Sequence, residues 1–178
     1  MSQSEQKFEK KTQDEGGFLF DEDRFVNTTI PSTLFKVKAE DMVRFSKSIG
    51  CNLPKYTLIP EDKHGQPDPS KLRAHPMFPS LFTIKPLFLL EHMKDTKTDT
   101  MIIKDKRKFL HATHRFNYEN TIPIKHGQIL STKGKLVNMF LKNEQLWCDV
   151  ELTTHTLKKE LVVRTFATFI MRKGGFVI

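Results

Sequence analysis

Cysteine is scarce in this chain. Cys51 and Cys148 are the whole complement, far apart and in no metal-ligand spacing. That scarcity argues against a disulfide framework and for two buried or half-buried thiols in a reducing compartment. No window approaches the roughly 20 apolar residues needed to span a bilayer. The apolar run Phe78 to Leu90 is too short and contains Lys85. Residues 1–16 lack the apolar stretch of a secretory signal. Zinc-finger spacing, a Gly-rich phosphate loop and an RNA-recognition aromatic motif are also missing. These absences together predict a cytoplasmic protein.

Positive charge, by contrast, is in excess. The 29 Lys and Arg outnumber 21 Asp and Glu, for a net charge of +8. The basic residues are scattered, with Lys104 to Lys108 the densest patch. Scattered charge points to a solvated face rather than a nucleic-acid groove, and it suits an anionic ligand at a locally basic rim. The 178 residues fit one domain, and 38% of them, including fifteen Phe, are hydrophobic enough to supply its core. Residues 1–17 are expected to form a disordered tail and residues 18–178 the domain, because the opening segment is nearly all polar.

The chain changes period midway. Phe18 to Val37 mixes apolar residues with Pro31 and turn formers. Ala39 to Ile49 predicts a helix, with Met42, Phe45 and Ile49 at three- and four-residue steps. Glu40 and Asp41 suit its first turn, and Gly50 its C-terminal stop. Pro54 to Pro69 is a Pro-rich loop around His64 to Pro67. A second helix is expected from Pro79 to about Met93, apolar on most sides and therefore buried, with Pro86 as a kink or restart. Four strands follow, at Phe109–Tyr118, Gln128–Leu141, Gln145–Leu157 and Leu161–Arg172. Short polar breaks between the long ones predict an antiparallel meander. Both faces of the last strand are largely apolar, which predicts a mid-sheet position covered on both sides. Segregated helices and strands make the class α+β, an antiparallel sheet wrapped around a central buried helix.

Three motifs in order narrow that architecture. Ser48-Ile49-Gly50-Cys51-Asn52-Leu53-Pro54-Lys55-Tyr56 resembles the IGDxNPxY turn of MaoC-like dehydratase domains. Ala74-His75-Pro76-Met77-Phe78-Pro79 resembles their APPTF approach to the central helix. Leu110 to Tyr118, with Thr121-Ile122-Pro123 and Gly127, resembles their LHxxQxFxYxxPIxxGD strand and turn. The resemblance runs from about Thr33 to Arg172 and implies a single hot-dog fold. Catalytic members of that family carry Asp and His in a turn like SGDxNPxH, where they add or remove water at an enoyl thioester. Here Cys51 stands at the Asp position and Tyr56 at the His position. Tyr56 matches the non-catalytic halves of (3R)-hydroxyacyl-thioester dehydratases, whereas Cys51 departs from both patterns. The resemblance therefore implies an accessory, non-catalytic subunit of an enoyl-thioester hydratase/3-hydroxyacyl-thioester dehydratase in fatty acid metabolism. Its partners would be a MaoC-like catalytic chain carrying Asp and His, paired more readily as a heterodimer than a homodimer, and an acyl-coenzyme A or acyl-carrier-protein thioester. A homodimeric acyl-thioester binder or thioesterase and a basic nucleic-acid-binding module remain as alternatives. The first of these would need an acid or His at the thioester, and the central helix offers only the late Glu91 and His92.

Candidate substrate-binding positions are Cys51, Asn52, Tyr56, His75, Phe78, Phe82, Phe116 and Tyr118. Tyr56, Phe78, Phe82 and Phe116 are tunnel-wall candidates, although core packing is the commoner role of such aromatics. Asn52 and Tyr118 suit polar contacts at a tunnel mouth. Cys51 follows a helix C-terminus, where the negative dipole end works against a thiolate nucleophile. His75 precedes a helix start whose free N–H groups would face a carbonyl oxygen. His111 and His114, three apart on a strand, should point to opposite faces and so fail as a metal pair. Thr153 and His155 share a solvent-facing strand side. No catalytic residue, metal ligand or cofactor is expected.

Overall fold

The computed structural model describes residues 25–92 and 101–177. The expected N-terminal tail and Met93 lie outside these. The described chain runs β1 (Thr29–Lys36), α1 (Ala39–Ser48), α2 (Pro54–Thr57), α3 (Ser80–Phe88), β2 (Phe109–Asn117), β3 (Ile129–Lys142), β4 (Gln145–Thr156) and β5 (Leu161–Met171). The strands form one antiparallel sheet in the order β1-β3-β4-β5-β2.

Strands β3, β4 and β5 are the expected meander. The β3–β4 turn is a two-residue loop in which Asn143 and Glu144 both have positive φ, the backbone that matches the right-handed twist of a hairpin. Strand β2 does not precede them spatially. It crosses to the far edge and pairs with β5. Strand β1 was hidden in the sequence by Pro31. Proline has no N–H to give a ladder, and it is accommodated here on an edge strand, at the register shift between Ile30 and Thr33.

Helix α1 ends as its sequence predicts. Gly50 has φ +76°, its N–H donates to Lys47 O, and Cys51 N–H donates to Ser46 O. These two bonds close the last turn and leave the chain pointing into the next loop. The start of α1 is held from a distance, because Ala39 N–H donates to His126 Nδ1 at 3.0 Å.

Helix α3 is shorter than the apolar run that encodes it. Pro86 supplies no N–H to the turn before it, and α geometry lasts only two residues beyond it, giving way to a 3-10 turn at Leu89–His92. The helix is also not buried all round. Phe82, Thr83, Pro86 and Leu87 are buried, while Leu81 and Phe88 are exposed.

Helix α3 packs over β1 and β3. The inward side chains of β5, Val163, Thr165, Ala167, Phe169 and Met171, are all buried. Its outward Arg164, Phe166, Thr168 and Ile170 are only half-buried. The mid-sheet position of β5 therefore stands, but its outer face is not covered as expected. Two apolar clusters fill the concave side. One joins Leu87 and Leu90 to β3, β4 and β5, and the other joins Phe78 and Phe82 to Val37, Met42 and Leu130. Full burial of side chains of this size contributes roughly 1.5–3 kcal/mol each.

Candidate functional site

The loop after α1, the approach to α3, the end of β2 and the segment after it converge on one open cleft of about 510 Å³. Each element has a local reason to be there. Gly50 turns the chain out of α1, and Pro54 occupies the first turn of α2, where its missing N–H has no partner to lose. Tyr56 on α2 then meets the His75 ring edge to face at 5.1 Å, with Lys55 Nζ 4.8 Å from the tyrosine centroid on the same helix. The Tyr118 hydroxyl donates to Pro76 O, tying the end of β2 to the approach to α3. Burial pushes that phenol up to about 12, so it remains a donor throughout the physiological range.

The His75 ring has a fixed role. Its Nδ1 accepts from Met77 N–H at 3.1 Å, which leaves the proton of the neutral ring on Nε2. Chemically, the cleft offers donors and cations: Tyr56, Tyr118, Ser70, Lys71, Arg73 and Lys125 all line it, and none of its lining residues is a carboxylate. Hydrogen bonds from Ser70, and then the Lys71 ammonium that pairs with Asp68 at 3.1 Å, hold the aspartate below its usual range.

One expectation about the start of α3 is overturned. Met77 N–H is taken by His75 Nδ1, Phe78 N–H by His75 O, Ser80 N–H by Met77 O and Leu81 N–H by Phe78 O. Pro76 and Pro79 have no N–H, and the amides of Phe82 and Thr83 both donate to Pro79 O. Overlapping tight turns have used every donor, so no free pair is left for a carbonyl oxygen.

The sequence-predicted positions separate into four groups. Tyr56, His75 and Tyr118 line the cleft. Half-buried Cys51 and exposed Asn52 sit on the preceding loop, outside its wall. Phe78 and Phe82 are fully buried core, their rings packed against Phe35 at 6.2 and 5.2 Å. Phe116 is half-buried on β2. The cations Lys71, Arg73 and Lys125 were not singled out from sequence. Lys71 and Arg73 share the segment before α3 and Lys125 lies on the loop after β2, and nothing in the sequence announces that the fold brings the two segments together.

His111 and His114 also differ from expectation. A register shift between His111 and Thr113 inserts one residue, so both rings face the concave side, 5.0 Å apart. With neighbouring rings they form a continuous ladder. Tyr118 lies 6.4 Å from Phe116, Phe116 4.7 Å from His114, His111 5.2 Å from Phe169, and Phe169 4.7 Å from Phe109. Thr83 donates its only hydroxyl proton to Pro79 O at 2.8 Å, so it accepts from His114 Nε2–H at 3.0 Å. His114 Nδ1 is buried and has no partner among the described residues. Burial, and then the nearby His111, lower His114 to about 4. Among the described residues no three His, Cys, Asp or Glu side chains could share a metal ion. None of the described helices is long and apolar enough to cross a membrane.

Neither a protein-family model nor a curated protein matches the sequence. Solved structures do match the fold. The (3R)-hydroxyacyl-ACP dehydratase complex HadBC from Mycobacterium tuberculosis aligns with a TM-score of 0.60 at 15% identity, over 82% of this chain and 96% of that one. A MaoC-like dehydratase from Rhodospirillum rubrum gives 0.56 at 17% identity, over 88% and 98%. An (R)-hydratase from A. caviae involved in PHA biosynthesis gives 0.52 at 10%, over 81% and 94%. The chain thus has the hot-dog fold of these hydratases and dehydratases.

Proposed function

We propose that this chain is an accessory, non-catalytic subunit of an enoyl-thioester hydratase/3-hydroxyacyl-thioester dehydratase, and that it helps to form the acyl-binding tunnel. The observation that carries this reading is the chemistry of the cleft. Water addition to an enoyl thioester needs a general acid and a general base within hydrogen-bond reach of one reacting centre. The cleft beside the turn has donors in Tyr56 and His75 but no carboxylate among its lining residues. The turn itself carries Cys51 and Tyr56 where catalytic relatives would carry Asp and His. In this reading the chain binds and orients, and the proton transfers belong to a partner.

A second feature agrees. Strand β2 is a sheet edge, and its outer side has no pairing strand among the described residues. On the concave side of the same strand, His111 is exposed and Phe109, His114 and Phe116 are only half-buried. An unpaired edge beside partly open aromatic rings suits a second hot-dog chain. The structural neighbour from M. tuberculosis is itself described as a complex. The ligand in this reading is an acyl thioester of coenzyme A or of a carrier protein.

The test is reconstitution. The chain is mixed with a MaoC-like subunit that retains the Asp and His turn, and hydration of an enoyl thioester is followed by loss of the conjugated absorbance. The mixed assembly should exceed the rate of the partner alone. A Cys51→Ala variant should still support that rate. If the rate with the chain equals the rate without it, the accessory role is refuted.

A further inference from the structure

The basic run at Lys104 to Lys108 gains a second half from the fold. Residues 101–108 and 172–177 are far apart in the chain, yet they lie against each other. Lys104 N–H and Asp105 N–H both donate to Gly175 O, at 2.8 and 3.1 Å, and Arg172 N–H donates to Lys108 O at 3.1 Å. Ile103 pairs with Phe176, and Val177 N–H donates to Ile102 O. Two glycines permit the approach. Gly174 turns the chain through φ +73°, and a Cβ on Gly175 would come within 2.8 Å of Lys108 Cβ and 3.0 Å of Arg172 O.

The result is a corner dominated by one sign of charge. It gathers Lys104, Lys106, Arg107, Lys108, Arg172 and Lys173 against one carboxylate of its own, Asp105. Asp105 is committed locally. It accepts from the Arg107 N–H and Nε–H and so fixes the 3-10 turn Lys106–Lys108. Lys173 pairs with Glu144 of the β3–β4 turn. Lys104 and Arg172 are exposed and meet no carboxylate among the described residues. Apolar side chains stand beside these charges. Phe88 is 57% exposed and shares the wall of a cavity of about 120 Å³ with Ile103 and Lys106. Val177 is 47% exposed and Met101 37%, at the outer end of the Ile103–Phe176 pairing.

We propose that this corner docks on an anionic lipid bilayer, with its cations among the headgroups and Phe88, Met101 and Val177 in the boundary below them. The proposal stands apart from the thioester reading. Headgroup charge attracts each basic residue held near the surface, and the apolar area buried in the boundary adds to that attraction. A nucleic acid would use the same cations, but Met101 and Val177 have no ring face on which a base could stack.

The test is co-sedimentation of the full chain with vesicles of phosphatidylcholine containing about 30% phosphatidylserine, against phosphatidylcholine alone. Binding should require the anionic lipid. It should fall steeply as salt shortens the screening length from about 10 Å at about 0.1 M to about 3 Å at about 1 M. Lys104→Gln combined with Arg172→Gln should weaken binding about 25-fold, at about fivefold for each charge near the surface. Lys63→Gln combined with Lys158→Gln removes the same charge from exposed positions elsewhere and should leave binding unchanged. Phe88→Ala should weaken binding about tenfold and leave its salt dependence as it was. Equal binding to the two kinds of vesicle, equal losses from the two double variants, or unchanged binding by Phe88→Ala overturns the proposal. So does tighter binding to a single-stranded oligonucleotide or to polyglutamate than to the vesicles, which would mark a polyanion site that makes no use of its apolar side chains.

Discussion

His114 should make the protein acid-sensitive in a defined window, and His114→Gln should remove that sensitivity. The ring is held neutral in the fold, lowered from 6.5 to about 4 by burial and by its neighbour His111. Between pH 6.5 and 4 the unfolded chain binds a proton at this site and the folded chain does not. Its contribution to stability is therefore complete above pH 6.5 and is lost as pH falls towards 4. The displacement corresponds to at most about 3.4 kcal/mol. Because the ring is only about half-buried, solvent screening reduces the expected effect to about 1–2 kcal/mol. Gln at this position keeps an N–H for Thr83 and has nothing to titrate. Urea unfolding of both proteins at about pH 7.5 and about pH 4.5 gives the comparison, since the other titrating groups cancel between the two chains. The native protein should lose about 1–2 kcal/mol more than the variant on acidification. Equal losses would show that the folded ring titrates freely, and the burial argument would fail.

Three further substitutions test the local physics. A Cβ on Gly134 would overlap Leu152 Cδ2 and come within 3.0 Å of Glu151 O; Leu152 is fully buried, so Gly134→Ala should cost about 1–3 kcal/mol by urea unfolding. Gly50→Ala meets nothing within 4 Å, so its cost should be the left-handed backbone alone, about 1–2 kcal/mol in the same assay. His126→Ala removes the acceptor for the first amide of α1 and should lower stability by about 1 kcal/mol, with hydrogen exchange at Ala39 accelerating before the sheet is affected.

The parts of the fold legible in the sequence are those written in local period and local caps. Helix α1 and its stop at Gly50, and the β3–β4–β5 meander, depend on side chains a few residues apart, and the structure has them within a residue or two of the expected bounds. The departures come from tertiary choices. Pro31 argues against a strand until an edge position and a register shift absorb it. An inserted residue between His111 and Thr113 turns two histidines to one side, and a strict alternation of two cannot anticipate it. At the site, Tyr56, His75 and Tyr118 were legible because recognisable motifs carry them. Lys71, Arg73 and Lys125 were not, because the fold has to bring the segment of Lys71 and Arg73 to the distant loop of Lys125. Phe78 and Phe82 have the composition of a tunnel wall and the burial of a core, and sequence alone does not separate the two.

The two rims of the sheet are unequal, and the inequality has a consequence for any pairing through them. Strand β1 bears Pro31 at its register shift between Ile30 and Thr33, which weakens it there as a template for another strand. Strand β2, at the opposite rim, has its own register shift between His111 and Thr113 but no proline in its nine residues. A chain that can be extended on one side only has a valence of one. Two such chains meeting through β2 consume both reactive edges, and growth ends there. If β2 is where a second chain pairs, the proline that conceals β1 in the sequence would act as a chain terminator, favouring a closed pair over an open fibre.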